Sequence, residues 1–110
     1  MKQYVIDELR AADYESLKTY MQEHYGPAAM GGIYWIPLEN SLLTDIQKAH
    51  RACQPHYFAV DLAENRLALE LLVRTKNILR CDCIRYATQA QRNWIIAFVD
   101  DIFNQLEIIT

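Results

Sequence analysis

The 110-residue sequence predicts an α+β fold, a sheet with helices packed on one face, in the order β-α-β-α-β-β-β-α. Three observations carry this. Segments 57–62 and 66–74 alternate apolar and polar residues with the period of a half-buried strand. An apolar stripe from Trp94 to Leu106 repeats with the period of a helix. The links between the last three predicted strands are too short for crossovers, so those strands form an antiparallel meander.

The first element is the short β-like run "QYVIDEL". Asp13 then offers a carboxylate to cap a helix, and Tyr14, Leu17, Met21 and Tyr25 follow at helical spacing until Gly26-Pro27 ends it. "GIYWIPL" reads as a strand that ends, or lies at a sheet edge, at Pro37, because proline has no N–H for a ladder. Thr44 and Gln47 have the capping-box spacing. They open a helix expected to run through Cys53, with Leu42, Leu43, Ile46, Ala49 and Cys53 on or near one face, until Pro55 stops it. Strands at "YFAVDL", "RLALELLVR" and "ILRCDCIRY" follow. A second capping box, Thr88 with Gln91, opens the last helix.

Register follows from pattern. A tight turn at Glu64-Asn65 pairs Ala63 with Arg66 and Val60 with Leu69, which keeps the apolar sets together; a one-residue slip would mix them. A turn at Thr75-Lys76-Asn77 pairs Arg74 with Ile78, and sets Leu71 opposite Cys81 and Leu69 opposite Cys83. Leu79, Cys81 and Cys83 then belong to the inner, apolar face. The outer face mixes apolar and charged residues, with Glu70 directly opposed to Asp82 and Asp61 diagonal to Glu70. Like charges in that position are unfavourable unless something compensates.

Hydrophobic residues make up 52 % of the chain, enough for a core, and charged residues 23 %. The length fits one domain, 1–110. A net charge of −3 gives no general attraction to nucleic acid, although Arg66 to Arg92 carries a local excess of basic residues. No apolar run approaches the roughly 18 to 20 residues of a membrane span, and the N-terminus lacks the apolar core of a secretory signal. The expectation is a cytoplasmic protein whose three cysteines do not form a disulfide framework.

Three functions compete. The leading reading is a non-enzymatic binding module or homodimer using the outer sheet face at Tyr57, Glu70, Leu72, Arg80, Asp82, Ile84 and Tyr86, with no cofactor. The second is a metal-dependent phosphoryl hydrolase or nuclease, with Asp61, Glu70 and Asp82 supplying oxygen ligands to a hard cation. The third is a small zinc-binding protein using His50, Cys53 and His56 from "HRACQPH". Cys81 and Cys83 stay outside that third set, because strand alternation sends both sulfurs into the core, where free cysteine is common.

Overall fold

A computed structural model describes residues 2–29, 31–76, 78 and 80–109. The expected class and element order hold. Strand β1 (Gln3–Ile6) is followed by helix α1 (Ala11–Tyr25), β2 (Ile33–Pro37), the short helix α2 (Asp45–Ala49), β3 (Tyr57–Ala63) and β4 (Arg66–Glu70). Two-residue strands β5 (Leu72–Val73) and β6 (Arg85–Tyr86) precede helix α3 (Gln89–Gln105). The main sheet is antiparallel, in the order β1-β4-β3-β2. Among the described residues, no helix is long and apolar enough to cross a membrane.

The β3–β4 hairpin has the register that alternation predicts, with Val60 facing Leu69 and Ala63 facing Arg66. Phe58, Val60, Leu62, Leu67 and Leu69 therefore share one buried face, which Tyr34 and Ile36 extend across β2. Both long helices pack on that face, α1 through Leu17 and Met21, α3 through Ile95, Val99, Ile102 and Phe103. The two capping boxes form as expected. Thr44 Oγ1 accepts from the Gln47 N–H (3.3 Å), and Thr88 Oγ1 from the Gln91 N–H (3.2 Å). Helix α3 ends where Glu107 takes a φ of 58° and the Ile108 N–H turns back to the Phe103 carbonyl at 2.9 Å.

Four expectations are corrected. Asp13 does not cap α1; Arg10 holds the cap position, and Asp13, inside the first turn, accepts from the Arg10 N–H and guanidinium. That guanidinium holds the Asp13 carboxyl below the usual carboxylate range. The second helix does not run through Cys53. It stops at Ala49, His50 leaves the helical conformation, and Arg51–Cys53 form a separate 3-10 turn. Its buried side is also different, since Gln47 is enclosed and Ile46 is exposed. The polar Gln47 goes inward because buried hydrogen-bond partners meet it there.

The third meander strand is the fourth correction. Leu69 faces Tyr4 and Glu70 faces Gln3, both on β1, so neither Cys83 nor Asp82 lies opposite them. At Leu71 the chain changes neighbour: the Leu71 N–H bonds the Lys2 carbonyl, and the Leu71 carbonyl accepts from Ala87. Beyond it Leu72 faces Tyr86, six positions past Arg80, the partner that the expected register implies. The even shift preserves side-chain alternation while leaving the described residues from 80 to 84 outside the strands. The expected turn at Thr75-Lys76-Asn77 and the placement of Leu79 involve positions outside the described residues.

One glycine is required by both backbone angle and space. Gly32 has a φ of +83°, and a Cβ there would lie 2.7 Å from the Leu62 carbonyl oxygen, which is backbone. Gly32→Ala is expected to cost about 2 kcal/mol or more, combining a left-handed residue penalty with a contact that cannot relax cheaply. Urea unfolding measures it; a loss under about 0.5 kcal/mol, the ordinary surface value, contradicts this account.

Candidate metal centre

The residues freed by the two breaks come together. His50 and Cys53 lie one 3-10 turn apart, the Cys53 N–H bonding the His50 carbonyl at 3.0 Å. The turn brings the chain back beside His50, so that the His50 and Cys53 side chains both reach Cys81. Cys81 and Cys83 sit in a tight turn closed by the Ile84 N–H to the Cys81 carbonyl at 3.0 Å. The turn replaces the expected strand and gathers the two sulfurs around one point; Cys83 is buried there, as expected, whereas Cys81 is only half-buried.

His50 Nδ1 stands 3.0 Å from Cys81 Sγ, and Cys53 Sγ 3.7 Å from Cys81 Sγ. With Cys83, one donor atom from each of the four residues lies within 4.8 Å of every other. A tetrahedral zinc ion with Zn–S bonds near 2.3 Å sets its sulfurs about 3.8 Å apart. The Cys53–Cys81 separation already has that value. The His50–Cys81 pair has to open by about half an ångström to make the N···S edge of the same tetrahedron.

Electrostatics distinguish the three thiols. The Cys83 N–H and thiol direct hydrogen bonds at Cys81, with His50 and Cys53 adding theirs, and hold its thiol down to about 7. Burial pushes Cys83 up to about 12 and raises Cys53. Alone, then, the cluster favours a single thiolate on Cys81. A bound cation overrides this difference, because a coordinating thiol is deprotonated outright. Three sulfurs and one imidazole suit zinc, and four protein donors leave no open position for a substrate. The cavity beside Cys53, bounded by Pro55, Tyr57, Thr75 and Lys76, offers only about 70 Å³. Ligand pockets generally begin near 300 Å³.

His56 does not join this group. It turns inward and is buried, with neither ring nitrogen hydrogen-bonded, and burial lowers its pKa. The residues that complete the set, Cys81 and Cys83, carried a signal in the sequence: a close H-x-x-C pair and a close C-x-C pair, separated by one stretch of chain. Two short ligand pairs are how structural zinc sites are commonly supplied.

The other candidates are dispersed. Asp61 and Glu70 lie on the outer sheet face, while Asp82 sits in the turn between the two cysteines, and these acids form no metal-binding group among the described residues. Glu70 is ion-paired with Arg74. Tyr57 is on the outer face, edge-on to Trp35 at 5.9 Å. Leu72 and Tyr86 face each other on the β5–β6 ribbon. Arg80 and Asp82 are exposed and Ile84 is half-buried, all three in the connection before β6.

Compared with protein-family models, with curated proteins and with solved structures, the chain matches none.

Proposed function

We propose that this protein is a small zinc-binding domain with one structural zinc ion, held by His50, Cys53, Cys81 and Cys83. The observation that supports it is the convergence of four zinc-type donors, from two distant turns, at mutual distances within 4.8 Å. The ion's role is architectural: it ties the chain after α2 to the chain before β6, the two irregular segments beside the sheet. Protein purified without added metal is expected to hold close to one zinc per chain by elemental analysis. It should lose thermal stability when the ion is stripped with a strong chelator. Less than a tenth of an equivalent, with no uptake of added zinc, contradicts the reading.

A second reading concerns association, and supports a homodimer. Both long helices lie on the inner face of the four-stranded sheet. The outer face presents Val5, 42 % exposed, together with the half-buried Trp35, Tyr57 and Ala59. Such a face suits a second copy of the chain meeting it sheet to sheet. Sedimentation should show a dimer that Val5→Lys weakens; a monomer at hundreds of micromolar rejects it.

A further inference from the structure

We infer that Gln47 and Gln91 are positioning residues of the zinc centre, and that they couple metal binding to the seating of helix α3. The inference rests on the zinc reading above. Both glutamines are all but sealed from solvent, 2 % and 1 % exposed, although each belongs to a capping box that would normally sit at a wet helix end. Their amides make two sets of bonds. Each oxygen performs the local capping task, Gln47 Oε1 accepting from the Thr44 N–H (3.0 Å) and Gln91 Oε1 from the Thr88 N–H (3.0 Å). Each nitrogen reaches away from its own helix. Gln47 Nε2 donates to the carbonyl of Cys83 at 3.1 Å. Gln91 Nε2 donates to Gln47 Oε1 and to the Leu42 carbonyl, both at 2.9 Å.

The chain of bonds runs from the first turn of α3, through α2, to the backbone of a metal-binding cysteine. It links the element that delivers His50 and Cys53 to the turn that delivers Cys81 and Cys83. Amides are required here. A carboxylate has no hydrogen to give to Cys83 or Leu42, and burying its charge costs far more. Partners that orient the ligands of a metal typically govern affinity by 10–100-fold. Because the Gln91 amide caps α3 and also holds Gln47, whatever fixes the Cys83 carbonyl through Gln47 also holds the start of that helix.

The test separates capping from relay. Gln47→Glu and Gln91→Glu each keep the oxygen that caps the helix and lose the nitrogen that donates. Zinc affinity, measured by competition with a chromophoric chelator, is expected to fall on the order of 10–100-fold in each. Cobalt substitution should still give the absorption of a three-thiolate centre, since no ligand has changed. Amide exchange supplies a readout in the unaltered protein. Stripping zinc should speed exchange at Gln91 and Arg92, and leave Val60 and Leu69 in the hairpin unmoved; in Gln91→Glu the metal dependence at Arg92 should vanish. Unchanged affinity in both variants overturns the inference. So does metal-independent exchange at Arg92 in a wild-type protein that does bind zinc, and both results leave the zinc reading standing. A wild-type protein that binds no zinc overturns both. If a variant fails to fold, the wild-type exchange comparison decides alone.

Discussion

Replacing Cys83 by serine is expected to abolish stoichiometric zinc binding and to lower Tm by on the order of 15–30 °C in zinc-containing buffer. With free zinc near 1,000 times Kd, binding to the folded state contributes about 4 kcal/mol. In a domain of this size each kcal/mol corresponds to roughly 4–8 °C. Cys83 is fully buried, so the serine hydroxyl also brings a packing and desolvation cost of its own. A chelator divides the two effects. Wild-type protein should lose most of the same stability when its ion is removed, whereas Cys83→Ser should be indifferent to chelator. A wild-type melting curve that chelator leaves unmoved would mean that this cysteine matters only as a small buried side chain.

Phe58→Ala is expected to destabilise the fold by about 3–5 kcal/mol, the range for deleting a buried aromatic. Phe58 is 0 % exposed on the inner face near the start of β3, opposite Ile36 of β2 and stacked at 6.5 Å on Trp94 of α3. Deleting it opens a void where the sheet meets the helix, and neither can collapse into it without breaking other contacts. Urea denaturation at fixed zinc concentration reads the loss; a cost under about 1 kcal/mol would show that the core between β3 and α3 is loosely filled. Zinc stoichiometry should survive, because the four proposed ligands lie in the turns at 50–53 and 81–83 and not on β3 or α3.

The parts of the fold that were readable in the sequence are those governed by neighbours in the chain. Capping at Thr44 and Thr88 depends on a residue three positions later. The β3–β4 register depends on a two-residue turn and on alternation, and both were legible. The apolar stripe of α3 needs only its own periodicity. Legibility fails where a distant partner decides. Gln47 carries no apolar signal, and it is buried only because Gln91 and Cys83 are waiting for it. Alternation correctly places two residues of a C-x-C on one side, but says nothing when the segment is a turn. The break at His50 has no helix-breaking residue to announce it. It is recognisable only once the 50–53 and 81–83 turns are brought together. The candidate site was therefore half legible. His50 and Cys53 emerge from local spacing, His56 lies outside the group, and strand alternation places Cys83 in the interior, where it is, but hides the turn that brings Cys81 and Cys83 beside His50 and Cys53.

The position of β1 bears on how the molecule is assembled in time. The β3–β4 hairpin closes across two residues, but β1 meets β4 between positions 61 to 67 apart, Ile6 to Leu67 and Gln3 to Glu70. Loop closure of that length comes late, since many intervening residues must be organised before the pairing gains anything. A chain emerging from its N-terminus carries β1 without its partner until β4 has been made. Once β4 is made, and until β1 has paired with it, the free edge of β4 can accept β1 from a neighbouring copy in place of its own. Strand exchange between nascent or thermally opened chains is thus the failure to which this topology is most exposed.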